Sequence, residues 1–256
     1  MEKGFKRVLL KLSGEALAKK DENGHEDGIF DSEKITEIAD VIKKLTDGGT
    51  EVGIVIGAGN IWRGAYGKGV KRARADQMGM LGTMINCLRM EDALEKAGCK
   101  ARVMSPVGMN SFAEQYDFRR AVEYLESGKV VLFGAGTGIP FVTTDTTVVV
   151  RAAEIDADVI LMAKNIDGIY ARDPRGADGK IDRTVSRYKV ISYDECLKND
   201  LHATDISASA LAKEQKKNMY VFALSPENIV KAVNGEEIGT LVTYDSSVKP
   251  ETYPAE

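Results

Sequence analysis

Histidine is scarce in this chain of 256 residues, which carries only His25 and His202. Its three cysteines, Cys87, Cys99 and Cys196, are odd in number and form no CxxC pair. A zinc site of the His/Cys type needs such ligands in a cluster, so that class is set aside and oxygen-ligated Mg2+ is the metal left open. Isolated thiols read as reduced packing residues of a cytoplasmic protein. No apolar run approaches the ~20 residues of a membrane span. Met1-Glu-Lys-Gly-Phe-Lys-Arg7 leads straight into a strand-like run, without the apolar core or cleavage site of a signal peptide. A net charge of −4 gives no broad basic surface, so neither nucleic acid nor a membrane is an expected partner. No GxxxxGK[ST] loop occurs, and no linker, repeat or low-complexity segment interrupts the chain.

What is present is a regular alternation of short apolar runs and helical periodicities. Strand-like runs cover 7–12, 51–56, 100–104, 129–133, 157–163, 219–224 and 241–244. Helices are expected after Asp31, from Ala75 to Gly98, over 118–125, over 146–155, over 192–199, over 205–217 behind a Thr204 cap, and from Ser225-Pro226-Glu227. The polar stretches 18–30, 67–74 and 175–189 read as loops, and 245–256 as a flexible tail. This alternation implies one α/β domain over 1–256, a three-layer sandwich with a mostly parallel central sheet. In such folds ligands sit beyond the carboxyl ends of the strands.

Four loops fall at those ends. The longest is Gly134-Ala-Gly-Thr-Gly-Ile-Pro-Phe-Val-Thr-Thr-Asp145, between an apolar strand and a helix. Its alternating glycines permit close backbone approach and positive φ. Thr143, Thr144 and Asp145 stand where helix caps are found, and a helix start is an anion site. Ser13-Gly14 ends the first strand beside Lys11. Lys11 reads either as an edge lysine that snorkels to solvent or as a point charge for phosphate. Gly57-Ala-Gly-Asn-Ile-Trp-Arg63 departs from the dinucleotide fingerprint, because Trp62 takes the place of the third glycine. Arg63 can fork onto phosphate oxygens or lie on the surface. Asp76 is expected in the first turn of its helix, either as a partner of the dipole or as an acceptor for ligand hydroxyls. The last loop, Asn165-Ile-Asp-Gly-Ile-Tyr170 with Asp173-Pro174, holds two turn signals around a tyrosine that could stack on a base or fill a hairpin.

Phosphate-cradling loops, a strand-end lysine and few histidines point to phosphoryl transfer, in which positioning and charge do most of the catalysis. An acceptor that is itself a phosphate is already ionised near neutral pH and needs no general base. Lys11-Leu-Ser-Gly-Glu15, the Gly57 loop, the Gly134–Asp145 loop and Asn165–Asp173 together resemble the amino-acid kinase superfamily, and within it the bacterial uridylate (UMP) kinases, over about residues 5–244. That resemblance implies Lys11, Asp145 and Arg63 in catalysis. It implies ATP at Lys11, Leu12, Ser13, Gly14, Gly59, Arg63, Asn165, Tyr170 and Asp173. It implies UMP at Ala58, Asp76, Thr137, Gly138, Ile139, Pro140, Phe141, Val142, Thr143 and Thr144. The implied cofactor is Mg2+ carried with ATP. The implied assembly is a cytoplasmic homohexamer inhibited by UTP and activated by GTP. Two other readings share the features: a carboxylate kinase of the same superfamily, and a nucleotide sensor without catalysis.

Overall fold

The computed structural model describes residues 4–21, 26–62, 69–174, 181–201 and 204–254. Strand β1 (Arg7–Leu12) is followed by a 3-10 turn, Gly14–Leu17, and by a hairpin of β2 (Lys19–Lys20) and β3 (Glu26–Gly28). The stretch 18–30, expected as a loop, therefore carries a short two-stranded sheet. Helix α1 (Ser32–Asp47) starts where Asp31 accepts the Lys34 amide, and it buries the expected Ile35, Ile38, Ile42 and Leu45. Next come β4 (Glu51–Ile56), α2 (Arg72–Lys96), β5 (Ala101–Ser105), β6 (Glu114–Gln115), α3 (Phe118–Glu126) and β7 (Val130–Phe133). The second half holds α4 (Thr144–Glu154), β8 (Val159–Lys164), β9 (Tyr188–Ser192), α5 (Tyr193–Lys198), α6 (Ile206–Glu214), β10 (Met219–Ala223), α7 (Pro226–Val233), β11 (Thr240–Thr243) and β12 (Glu251–Thr252).

Ten strands make one sheet in the order β12-β9-β11-β10-β8-β1-β4-β7-β5-β6. The seven from β10 to β6 run parallel, and β11 turns the direction. β1 sits between β4 from the first half of the chain and β8 from the second. That is the topological switch point, where an open α/β sheet leaves a crevice at its carboxyl edge. Leu10 and Leu12 face α1, α2 and α7; Leu9 faces α3, α4 and α6. Val8, Leu9, Leu10 and Leu12 are each at most 1% exposed, and fully burying such a side chain is worth about 1.5–3 kcal/mol. A lysine inside that strand must be compensated by a partner of its own.

Further expectations are corrected. Helix α2 starts at Arg72, three residues before Ala75, so Asp76 lies beyond the first turn and is paired with Arg72 rather than with the helix dipole. Asp205, and not Thr204, caps α6, because its carboxylate accepts the Ala208 amide. Tyr188 and Lys189, read as the end of a loop, open β9. Their partner is β12, which lies in the stretch 245–256 expected as a flexible tail; Tyr253 there donates its hydroxyl to the Gly239 carbonyl at 2.8 Å.

Candidate active site

Lys11 is the penultimate residue of β1, in register with Val55 and Met162. Strand alternation turns it to the Leu9 face, which α4 covers. It is 8% exposed. Its partner is Asp145, in the first turn of α4, with Nζ 2.9 Å from Oδ1. Lys164, the last residue of β8, brings its amine to 3.6 Å from Oδ2, and the Thr204 hydroxyl donates to that oxygen at 2.9 Å. One carboxylate thus gathers two ammonium groups at the carboxyl edge of the sheet. Burial opposes its ionisation, but Lys11, Lys164 and these hydrogen bonds prevail and hold its pKa down at about 2. Burial lowers the pKa of Lys164, a shift that Asp145 opposes and Lys11 reinforces. With both lysines charged, the cluster carries one net positive charge and faces the start of α4, whose dipole adds to it.

The first turn of α4 is braced from α6. Thr143 caps α4 by accepting the Thr146 amide at 3.0 Å. Its hydroxyl donates to Asp205, which also accepts from the Thr146 hydroxyl at 3.2 Å. Adjacent residues 204 and 205 therefore hold Asp145 and its helix cap together. No sequence motif marks this contact, since the two segments are about 60 positions apart.

The glycine loops meet at β1. A Cβ on Gly14 would lie 2.3 Å from the Gly57 carbonyl oxygen and 2.6 Å from Asn60 Oδ1, so only glycine fits. Asn60 exchanges side-chain hydrogen bonds with the buried Asn86 of α2, which also donates to the Gly57 carbonyl at 2.6 Å. These two amides, absent from the sequence-based set, fix the loop. Ala58 stays out of the left-handed region, so its methyl is accommodated. In the longest loop Gly136 and Gly138 have positive φ as expected, whereas the residue before them in that region is Ala135, not Gly134.

Two cavities flank the charge cluster. One, of about 210 Å³, is lined by Ala58, Asp76, Thr137, Val142, Thr143 and Thr144 among others. The other, of about 410 Å³, is lined by Lys164, Tyr170, Asp173, Asn199, Leu201 and Val221 among others. Thr144 and Lys164, the immediate neighbours of Asp145 in chain and in space, open onto the first and the second respectively. Asp76 accepts from the Phe141 amide at 2.8 Å and from Arg72 Nε at 2.9 Å; a carboxylate has about four acceptor sites, so ligand hydroxyls can still bind. Gly138, Ile139, Pro140 and Phe141 are not part of the smaller cavity's lining. Ile139 and Phe141 are exposed and Gly138 and Pro140 half-buried, and the segment is tied to the cavity wall by the Phe141–Asp76 bond. Tyr170 is buried, with its hydroxyl on Asp167 at 2.9 Å. Asn165 points to solvent while Lys164 beside it lines the cavity. Leu12 packs into the core, and Ser13 and Gly59 lie in the loops beside Lys11 and line neither cavity. Arg63 lies outside the described residues.

Among the described residues no group of three or more His, Cys, Asp or Glu side chains could hold a metal ion. The Asp145 carboxylate is already shared by two lysines and a threonine. This donor set does not suit a resident divalent cation.

Known proteins bear on the whole chain. The model of the Amino acid kinase family matches residues 6–224. The crystal structure of UMP kinase from Bacillus anthracis is 37% identical, with a TM-score of 0.87 over 98% of this chain and 99% of that one. UMP kinase from Ureaplasma parvum is 34% identical, with a TM-score of 0.85 over 95% of this chain and 100% of that one. Uridylate kinase from Archaeoglobus fulgidus is 29% identical, with a TM-score of 0.69 over 92% and 99%. On the family match and on these near full-length likenesses, the chain is a member of the amino acid kinase family.

Proposed function

We propose that the protein transfers the γ-phosphoryl group of ATP to UMP, giving ADP and UDP. One observation carries the reading: a strand-end lysine is held by an acidic helix start whose neighbours, Thr144 and Lys164, open onto two separate cavities. Residues 58–147 supply the smaller cavity, assigned to UMP, and residues 164–221 the larger, assigned to ATP. Asp76 would take the ribose hydroxyls, and the threonines from 137 to 144 the phosphate and base.

Lys11 neutralises charge on the migrating group, and Lys164 adds a second cation from the donor side. Asp145 holds both ammonium groups in place without taking a proton at neutral pH, given its pKa of about 2. The amide dipoles at the start of α4 act on the same charge. No histidine or free carboxylate has to act as base, because the second pKa of a phosphate monoester is near 6. Magnesium enters as the counter-ion of ATP, and no step is routed through a protein-held metal.

The same reading extends to a cytoplasmic homohexamer with UTP as inhibitor and GTP as activator. An apolar stripe on α2 supports self-association: Met78, Leu81 and Ile85 are exposed at helical spacing. Among the described residues no helix is long and apolar enough to cross a membrane.

The test is ADP release from Mg·ATP with UMP, CMP, dUMP, acetylglutamate and aspartate as separate acceptors. Turnover with UMP and negligible turnover with the carboxylates is expected. Preference for a carboxylate would overturn the assignment of Asp76 and the threonine loop. Tight nucleotide binding without any turnover would replace the enzyme by a sensor.

A further inference from the structure

Arg151 plays no part in the chemistry above, yet three groups hold it in place. It projects from the last turns of α4 and is 4% exposed. Its Nη1 donates to Glu154 at 2.6 Å and its Nη2 to the Gly136 carbonyl at 3.1 Å. The guanidinium carbon stands 3.7 Å from the centre of the Tyr116 ring. Tyr116 donates its hydroxyl to the same Glu154, and its ring meets Phe133, the end of β7, edge-on at 5.9 Å. Among the described residues, Arg151 Nε is the one buried side-chain nitrogen or oxygen without a hydrogen-bond partner.

Stability alone does not account for this arrangement. A buried ion pair can usually be replaced by apolar groups at little cost, and an orphaned N–H is a net penalty. What the cluster grips is the loop that follows β7. Ala135 has φ 56° and Gly136 φ 60°, so two successive residues are left-handed. A residue with a Cβ resists that conformation. The Ala135 amide is tied to the Thr83 hydroxyl at 2.9 Å, and the Gly138 amide to the Ala135 carbonyl at 3.0 Å. The carbonyl between them, on Gly136, is the one that Arg151 holds. Gly136 and Thr137 line the smaller cavity.

We infer that Arg151 is a positioning residue for the acceptor nucleotide. Braced by Glu154 and Tyr116, it fixes the Gly136 carbonyl and keeps the loop in the left-handed conformation that presents Gly136 and Thr137 to the substrate. The inference rests on the reading of that cavity as the UMP site.

Arg151→Met keeps length and apolar bulk; Arg151→Lys keeps the charge without the fork. In steady-state kinetics with UMP and ATP varied separately, Arg151→Met should raise the KM for UMP about tenfold, the loss of one charge-assisted hydrogen bond. The KM for ATP, and kcat at saturating UMP, should stay within about twofold, and Arg151→Lys should recover little. Adding Ala135→Gly should restore most of the UMP affinity, because glycine enters the left-handed region without strain. A wild-type enzyme active on UMP whose Arg151→Met variant shows an unmoved KM for UMP, or equal losses for both substrates without rescue, overturns the inference. Failure of the wild type to use UMP would sink the substrate reading instead. In that event amide hydrogen exchange decides: Arg151→Met must speed exchange at Ala135 and Gly138 and leave β1 and α6 unchanged. Unaltered protection of the loop also overturns the inference.

Discussion

Replacing Asp145 by asparagine tests the charge cluster through stability alone, without reference to substrate. The carboxyl group titrates at about 2 in the folded protein, against ~3.9 in an unfolded chain. The difference of about two units, at ~1.4 kcal/mol each, corresponds to on the order of 2–3 kcal/mol of folding stability at neutral pH. The sign follows from a depressed pKa. The stabilisation is fully present above the unfolded value and is lost as pH falls through the folded one. The amide of the Asp145→Asn variant would keep the shape and lose the charge that pairs with both ammonium groups. For a chain of this size ~1 kcal/mol moves Tm by about 2–4 °C, so a fall of roughly 5–10 °C is expected. Thermal unfolding of the two proteins in parallel at several pH values is the assay. The gap should be constant between about pH 7 and 5, shrink to about half near pH 3, and close near pH 2. Equal melting temperatures at pH 7, or a gap that persists undiminished at pH 3, would refute the argument that charge pairing at Asp145 holds this edge of the sheet.

Three further outcomes are expected. Lys11→Met should lower kcat by about 10²–10³ while both nucleotides still bind; near-normal turnover would remove Lys11 from its role. Asp76→Asn should raise the KM for UMP about tenfold and leave that for ATP nearly unchanged, and equal effects on both would contradict the ribose assignment. Thr204→Val should lower kcat several-fold with little change in either KM, and Thr204→Ser should recover it, since only the hydroxyl reaches Asp145; a serine variant as impaired as the valine one would count against the hydrogen bond.

The parts of the fold that follow local rules were legible in the sequence. Alternating β-branched runs and 3.6-residue periodicity located the main strands and helices, and caps such as Asp31 and Ser225 stood where their side chains accept amides. Lys11 was visible because a lysine in a buried strand is costly without a partner, and Asp145 because a carboxylate follows the glycine loop. The contacts that complete the site are non-local. Thr204 and Asp205 reach α4 across about 60 residues, and Asn86 lies on a long helix with nothing to distinguish it from a polar surface position. Lys164 against Asn165 is a matter of which residue is last in the strand, a boundary that propensity does not resolve to one position. The edge strands β6 and β12 have two residues each, too short for any periodicity. Their existence depends on neighbours already in place.

The position of β1 also shapes how the molecule is made. Its partners are separated by about a hundred residues of chain, since β4 ends at Ile56 and β8 begins at Val159. During synthesis at about 5–20 residues per second, β1 can pair with β4 at once but waits on the order of 5–20 s for β8. Through that interval the nascent chain presents a free hydrophobic edge, Val8 to Leu12, with its amides and carbonyls unmatched. Lys11 stands near the end of that edge, a charge that discourages a second nascent chain from adding there. The side chain assigned to the phosphoryl group would thus act first as a guard against misassembly, before its own counter-ion on α4 has been translated.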